Sequence, residues 1–461
     1  MSGHDSWLDE DQWDLADRQA LRRVQGLSTE LEDITEVEYR QVRLEQVVLV
    51  GVWTEGTAAD ADASLAELAA LATTAGSLVL EGLIQRRDRP DPATYIGKGK
   101  AAELARIVAS LGADTVICDG ELSPGQLRQL EAIVKVKVVD RTWLILDIFA
   151  QHAKSREGKA QVSLAQLEYL LPRLRGWGES LSRQAGGRVS GGAGIGTRGP
   201  GETKLEIDRR RIRYQISRLR KQIAAMRVAR ATQRADRVRH NVPTVALAGY
   251  TNAGKSSLMN QVTGAGVLVE DALFATLDPT VRRASTPNGR DFTLVDTVGF
   301  VRHLPHQLVE AFRSTLEETV HADLILLVVD VSDPEPLGQV DAVQTVLAEI
   351  GAAHTAQLVV LNKIDIADPD GLAVLRRRFP DAVSTSARSG EGIQALLAAV
   401  EEHLAASGVA LQLELPFDRG DLVAEVHRHG TVTATDYTDR GTVLTVVVPD
   451  WLAAKVQEFS R

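Results

Sequence analysis

GYTNAGKS, at residues 249–256, fits the pattern G-x-x-x-x-G-K-[ST] of a phosphate-binding loop. An apolar run precedes it and a helix is predicted after it, which is the strand–loop–helix context that such a loop requires. Lys255 can supply charge to the β- and γ-phosphate oxygens, and the Ser256 hydroxyl can ligate Mg²⁺. The glycines let backbone N–H groups turn toward phosphate, so we expect contacts from the loop and the residue after it. These are Gly249, Tyr250, Thr251, Asn252, Ala253, Gly254, Lys255, Ser256 and Ser257.

Three further motifs follow predicted strands in the order that a GTP-binding domain requires. DTVG, at residues 296–299, can bring a carboxylate to Mg²⁺ through water and the Gly299 N–H to a γ-phosphate. NKID, at residues 362–365, ends in a carboxylate that can accept hydrogen bonds from N1–H and the exocyclic amine of guanine, which adenine lacks in that arrangement. SAR, at residues 386–388, can offer a backbone N–H to the guanine O6. The predicted contacts are Asp296, Thr297, Val298, Gly299, Asn362, Lys363, Ile364, Asp365, Ser386, Ala387 and Arg388.

FATLDPT, at residues 274–280, is the candidate for a switch that senses the γ-phosphate. Such a switch needs a hydroxyl that ligates Mg²⁺ only when that phosphate is present. Thr276 and Thr280 both qualify, although Thr280 fits equally well as an exposed residue at the start of the next strand. The predicted nucleotide contacts in this segment are Phe274, Ala275, Thr276, Leu277 and Asp278.

Phe300 follows the DTVG motif directly, where many Ras-like enzymes place a glutamine that orients the attacking water. A phenyl ring cannot hydrogen-bond water, and we expect Phe300 simply to pack. We therefore predict slow intrinsic hydrolysis that is stimulated when a partner orders the switch segments. Lys255, Gly299 and the switch threonine are the predicted catalytic residues.

Composition is that of an ordinary globular protein, with 461 residues of which 44% are hydrophobic and 25% charged. This length predicts about three domains. Cys118 is the one cysteine, which excludes an internal disulfide and a cysteine-rich zinc site, and we expect it to be a buried thiol. The sequence has no apolar run long enough for a membrane span, and its acidic first residues lack a signal-peptide core. We expect a monomer in the cytoplasm.

Charge is strongly segregated along the chain, whose net charge is −10. Residues 204–240 hold thirteen basic and three acidic residues, a local charge of +10, so the rest of the chain carries −20. A heptad seam in the same segment predicts a long helix that needs one partner helix. Residues 154–175 can supply that partner in an antiparallel hairpin with the glycine-rich residues 176–204 at its tip. The seam positions are Ile212, Ile216, Leu219, Ile223 and Met226.

The order of predicted strands and helices places the chain in the α/β class. Residues 1–44 are interpreted as an acidic, flexible arm, and residues 45–153 as an N-terminal α/β domain with a mostly parallel sheet. Residues 154–241 are interpreted as the antiparallel helical hairpin with its glycine-rich loop and basic helix. Residues 242–408 are predicted to form a Ras-like P-loop G domain, and residues 409–461 a small C-terminal α+β domain.

The sequence resembles the HflX family of translation-associated GTPases, which are related to the Obg group. The resemblance extends over residues 45–455 and rests on the G-domain motifs above, together with two segments that generic GTPases lack. These are GTRGPGETKLEIDRRRIR at residues 196–213 and YIGKGK at residues 95–100. The resemblance implies the domain order given above, GTP as the substrate with Mg²⁺, and Thr276 in preference to Thr280 as the switch ligand.

The resemblance also implies a ribosomal partner. Family members bind the large ribosomal subunit and the 70S ribosome, some split stalled ribosomes, and the glycine-rich loop approaches the peptidyl-transferase region. The +10 segment agrees with an rRNA partner because clustered arginines neutralise phosphate, although a solvated helix face is an alternative, as is a plain linker for the loop. The predicted RNA contacts are Arg188, Arg198, Lys204, Arg209, Arg210, Arg211 and Arg213.

Three functions are compatible with these observations. The first is a Mg²⁺-dependent GTPase that dissociates or rescues stalled 70S ribosomes. The second is a nucleotide-gated ribosome-binding adaptor, with an assembly or hibernation role, in which hydrolysis only resets binding. The third is a signalling GTPase with a protein effector, which the basic helix disfavours. YIGKGK at a predicted helix start can hold a second phosphate group, although an RNA contact or a simple helix N-terminus explains it as well.

Overall fold

The structure is a computed structural model, and it describes residues 21–23, 45–174, 200–239, 242–264, 273–274, 280–302, 318–406 and 408–460. This described chain divides into two compact units. The first holds the residues as far as Gln151 together with Lys159–Lys221, and the second holds His152–Gly158 with the residues from Gln222 onward. None of the described helices combines the length and the apolar character that crossing a bilayer demands.

The first unit is an α/β structure. Its strands are β1 (Leu21–Arg23), β2 (Gln46–Trp53), β3 (Leu78–Arg86), β4 (Thr115–Asp119) and β5 (Lys137–Asp140). Its helices beside the sheet are α1 (Ala58–Thr74), α2 (Lys98–Leu111), α3 (Pro124–Val134) and α4 (Arg141–His152). The strand order is β1-β3-β2-β4-β5, and only the β1–β3 pair among these is antiparallel. The predicted α/β fold with a mostly parallel sheet is confirmed.

Local sequence explains several of these element boundaries. Thr57 and Ser123 cap α1 and α3 through capping boxes, and Pro124 occupies the first turn of α3. Cys118 is buried in β4, as predicted. β1 lies inside residues 1–44, and the interpretation of that segment as an arm did not include it. A strand of three residues is too short to show a periodicity in the sequence. Its pairing with β3, which the sequence does not reveal, stabilises it.

Two long helices follow, α5 (Arg156–Arg173) and α6 (Pro200–Arg239). Pro172 lies in the last turn of α5, so the helix ends one residue after it. Every predicted seam position of α6 is at least partly buried, and Ile216 is fully buried, while most other described side chains of the helix are exposed. Arg220 pairs with Glu168 of α5 at 2.7 Å, which places the two helices side by side at that level.

The second unit contains the phosphate-binding loop. The strands of its first sheet are β6 (Thr244–Gly249), β7 (Thr280–Ser285), β8 (Asp291–Asp296), β9 (Leu324–Asp330), β10 (Gln357–Asn362) and β11 (Val383–Ser384). The helices are α7 (Lys255–Thr263), α8 (Pro336–Glu349), α9 (Pro369–Arg378) and α10 (Ile393–Ala406). The sheet order is β11-β10-β9-β6-β8-β7, with β7 antiparallel to β8 and the other pairs parallel. This is the predicted P-loop G-domain fold, with β7 as an edge strand that begins at Thr280.

The C-terminal part of the second unit is a small α+β structure. Its elements are β12 (Val409–Pro416), α11 (Gly420–His429), β13 (Thr431–Thr438), β14 (Gly441–Val448) and α12 (Asp450–Val456). The three strands are antiparallel in the order β12-β14-β13. The predicted small C-terminal α+β fold is confirmed.

Candidate active site

The phosphate-binding loop connects the end of β6 to the start of α7, and residues 249–257 all lie in it or in the first turn of that helix. Gly254 has a φ of +89°, and a Cβ at this position would collide with the Asn362 side chain. A Cβ on Gly249 would collide with the carbonyl of Val328 on β9. Both positions therefore require glycine, because the loop turns tightly against the neighbouring strands.

Lys255 lies at the centre of the loop with only 6% of its surface exposed. Its Nζ donates to the carbonyl oxygens of Gly249 at 3.1 Å and Tyr250 at 2.7 Å. Burial lowers the pKa of Lys255 to about 8, and the nearby Asp296 carboxylate opposes that shift. The ammonium is thus held inside the loop that the sequence assigns to phosphate.

We expect the affinity for GDP to fall as pH rises through about 8. Phosphate oxygens favour the charged ammonium, so binding raises the pKa of Lys255 above about 8 and takes up a proton at higher pH. Affinity should drop about fourfold between pH 7 and pH 8.5. Titration calorimetry in two buffers of different ionisation enthalpy measures both the affinity and the proton uptake. A constant affinity without proton uptake would contradict the assignment of Lys255.

Ser256 and Asp296 converge at the same end of the loop. The Ser256 hydroxyl donates to Asp296 Oδ2 at 2.6 Å, and Asp296 is 1% exposed at the end of β8. Thr297, fully buried, donates to the Leu247 carbonyl at 2.6 Å and fixes the chain just after that strand. A hydroxyl and a carboxylate this close form the oxygen set that Mg²⁺ prefers, so the residues present fit the metal.

The residues after Asp296 lie against the phosphate-binding loop. Val298 is 6% exposed, and a Cβ on Gly299 would stand 2.9 Å from Thr251 Cα and 3.1 Å from Lys255 Nζ. Phe300 is 2% exposed, which confirms the prediction that its ring packs. Gly299 therefore lies against the phosphate-binding loop, with no room for a side chain.

The predicted guanine contacts meet at the ends of β10 and β11. Asn362 is buried, and its Nδ2 donates to the Ala253 carbonyl at 2.8 Å while its Oδ1 accepts from the Ala387 N–H at 3.0 Å. The Asp365 carboxylate is exposed and accepts a 2.7 Å hydrogen bond from the Ser386 hydroxyl. Asn362 thus fixes the phosphate-binding loop relative to the SAR segment.

A cleft of about 480 Å³ joins these residues, and six of the residues that line it are Asn252, Gly254, Asn362, Lys363, Asp365 and Arg388. Lys363 has a φ of +66° and forms a 2.6 Å ion pair with Asp330 at the end of β9. Ile364 follows it, and its N–H donates to the Thr385 carbonyl. Sequence analysis missed Asp330 because only the fold brings it to Lys363.

Several predicted site residues lie elsewhere in the fold or outside the described residues. Thr280 is the first residue of β7, which agrees with the strand-start alternative for it, and Phe274 is buried with a φ of +60°. Residues 275–278, including Thr276, lie outside the described residues, as do Arg188 and Arg198. Lys204 lies in α6, but the structure does not describe its side chain.

The basic face of α6 is described at four of the predicted RNA contacts. Arg210, Arg211 and Arg213 are exposed, whereas Arg209 is partly buried in line with the apolar seam. The three exposed arginines remain candidates for phosphate contact, and Arg209 is the least suited of the four.

The YIGKGK segment begins α2 after Gly97, which has a φ of +87°. Lys100 pairs with Glu103 at 2.7 Å, and Arg87 donates to the Ile96 carbonyl at 3.0 Å. Tyr95 is buried, and its hydroxyl donates to the Asp119 carbonyl. These contacts account for much of the segment by local structure, and a second phosphate site there stays a prediction.

Three family models match the chain in sequence order. They are described as GTP-binding GTPase N-terminal at residues 62–150, GTP-binding GTPase Middle Region at residues 152–237, and 50S ribosome-binding GTPase at residues 244–363. The third covers the phosphate-binding loop, DTVG and the first two residues of NKID.

Similar proteins named GTPase HflX match nearly the whole chain. The one from Lacrimispora saccharolytica is 44% identical over 431 residues, covering 93% of this chain and 98% of that protein. The one from Escherichia coli (strain K12) is 42% identical over 420 residues, covering 90% and 96%. A crystal structure of a GTP-binding protein from the archaeon Sulfolobus solfataricus in complex with GDP is 25% identical and covers 78% of this chain and 98% of that chain, with a TM-score of 0.39.

Proposed function

The chain belongs to the HflX family of GTPases and hydrolyses GTP, and from this premise we propose that it does so on the ribosome. The proposed partners are the large ribosomal subunit and the 70S ribosome, on which a cytoplasmic monomer dissociates or rescues stalled particles. The observation that carries this proposal is the exposed basic face of α6, because three neighbouring exposed arginines fit an RNA backbone. The match to the model of 50S ribosome-binding GTPases supports it.

Hydrolysis is an in-line attack of water on the γ-phosphoryl group. Lys255 and the N–H groups of the loop bind the phosphate oxygens and stabilise their charge, and the Gly299 N–H is proposed to contact the γ-phosphate. Ser256 and Thr276 would hold Mg²⁺, with the Asp296 carboxylate reaching the ion through water, and the ion would supply positive charge to the phosphate oxygens. Asp365 and the Ala387 N–H are proposed to select guanine.

The isolated protein is proposed to turn over slowly. Phe300 is buried where other GTPases carry a water-orienting glutamine, and a phenyl ring offers no hydrogen bond to water. Orientation of the water must then come from elsewhere, and contact with the ribosome is proposed to supply it by ordering the switch segments.

The test is GTP hydrolysis with and without purified large subunits, with dissociation of 70S particles followed in the same samples. We expect at least about tenfold stimulation together with dissociation. Stimulation without dissociation would support the alternative of a nucleotide-gated adaptor, which the same basic face would serve equally well. Fast turnover by the isolated protein, or no response to subunits, would overturn the proposal while leaving the GTP site intact.

A further inference from the structure

Residues 299–302 are joined to the phosphate-binding loop by backbone hydrogen bonds, one of which uses a donor of the loop. The Thr251 N–H donates to the Phe300 carbonyl at 2.7 Å, and the Phe300 N–H donates to the Gly249 carbonyl at 3.1 Å. The backbone thus forms a short parallel bridge between Tyr250 and Phe300. Phosphate-loop N–H groups are the donors that a bound nucleotide uses, so protein and nucleotide compete for the Thr251 N–H.

The Thr251 N–H lies at the end of the loop where the γ-phosphate is proposed to bind. Thr251 Cα is in contact range of Gly299, whose N–H is proposed to contact that phosphate. Lys255 Nζ, the other donor expected to reach it, lies beside Gly299 as well and donates to the Gly249 and Tyr250 carbonyls. A γ-phosphate therefore has to displace the Phe300 carbonyl from the Thr251 N–H, whereas the α- and β-phosphates can bind without displacing it.

Tyr250 adds a second connection between the loop and the same segment. Its hydroxyl accepts a 2.6 Å hydrogen bond from the Arg302 N–H, and the Tyr250 side chain is buried. The Arg302 guanidinium also pairs with Glu335, the residue before α8. Moving the Phe300 carbonyl away from Thr251 pulls on the Tyr250–Arg302 bond two residues further along the chain.

We propose that Tyr250 is a positioning residue that holds residues 299–302 against the phosphate-binding loop and thereby sets the preference between GDP and GTP. GDP leaves the Tyr250–Arg302 bond intact. GTP binds only when residues 299–302 move away, so the energy of that bond is subtracted from the affinity for GTP alone. The proposal rests on GTP binding at this site and does not depend on the ribosome.

The test is Tyr250→Phe, which keeps the ring and removes the hydroxyl. Affinities for fluorescent GDP and for a fluorescent non-hydrolysable GTP analogue are measured on the full chain without ribosomes. We expect the ratio of the affinity for the analogue to the affinity for GDP to rise about two- to tenfold in the variant, since one hydrogen bond is worth that factor. Tyr437→Phe is the matched control, because Tyr437 is 76% exposed in β13.

A purely structural role for Tyr250 predicts a different result. Loss of packing or of loop order would change both affinities by the same factor, and that outcome, or no change in either, would overturn the proposal. Amide hydrogen exchange at Arg302 in the GDP complex gives a second measurement. It should be faster in Tyr250→Phe than in the unmodified protein, and equal exchange would also count against the proposal.

Discussion

Asp365→Asn is expected to weaken GTP binding by about 10²- to 10⁴-fold and to give the protein a preference for xanthosine triphosphate. The carboxylate of Asp365 is exposed in the cleft and can accept from two guanine donors at once. Each hydrogen bond to a charged group is worth about 1.5–3 kcal/mol, and asparagine replaces one acceptor by a donor. Xanthine carries a carbonyl in place of the exocyclic amine, so the new donor has a partner there.

The Ser386 hydroxyl fixes the orientation of the side chain at position 365. It donates to Asp365 Oδ1 at 2.7 Å, and an asparagine can keep that bond through its own carbonyl oxygen. The remaining side-chain atom then faces the base with its two N–H donors. The geometry of the cleft is thereby retained while its hydrogen-bonding pattern is changed.

Asp368→Asn is the matched control, three residues away on the same segment. Asp368 caps α9 by accepting from the Gly371 N–H, and asparagine caps a helix equally well. Equilibrium titrations of GTP and xanthosine triphosphate against both variants decide the matter. An Asp365→Asn protein that still prefers GTP would remove Asp365 from the role of base selector.

The parts of the fold that the sequence predicted are those whose signal is local. The buried strands around β6 are continuous apolar runs, and the phosphate-binding loop has glycines at the two positions where a Cβ would collide. β7 was predicted only as one of two alternatives for Thr280, because four of its six side chains are exposed and the strand has no apolar run. Its place in the sheet comes from pairing with β8.

In the site, too, the features with a local sequence signal could be predicted and those that depend on distant contacts could not. Motif spacing predicted that the phosphate-binding loop, DTVG, NKID and SAR each follow a strand, and in the structure all four stand at the ends of parallel strands. The bonds that organise them join distant residues, such as Asn362 with Ala253 and Lys363 with Asp330. No local pattern specifies which of several buried or charged side chains will meet, because the approach of whole strands and helices decides it.

The seam of α6 explains why a long helix can present several arginines on its exposed face. Side chains spaced by three and four residues are buried along one side, so charges between them must face away from it. Arg209 falls on the buried side, and Arg210, Arg211 and Arg213 do not. Part of the charge of +10 that the sequence gives to residues 204–240 therefore lies together on one exposed face of the helix.

Reversal of that surface charge gives the second large expected effect. In the triple variant Arg210→Glu, Arg211→Glu, Arg213→Glu, we expect the affinity for the large subunit to fall by about a hundredfold at low salt. The slope of log affinity against log salt concentration should become shallower by about three, because each phosphate contact releases about one counterion. Binding is measured by co-sedimentation over a series of salt concentrations, with GDP affinity as the check that the G domain is intact.

The matched control is the triple variant Arg376→Glu, Arg377→Glu, Arg378→Glu. These three arginines are also exposed neighbours on one helix, and their reversal changes the net charge equally. An RNA-binding role for α6 requires the first variant to lose affinity and salt dependence and the second to keep both. Equal losses in the two would mean that the ribosome responds to the net charge of the protein and not to this surface. Unchanged binding in the first variant would make the basic face of α6 a solvated side of the helix, and the glycine-rich loop or the G domain would then have to carry the ribosome contact.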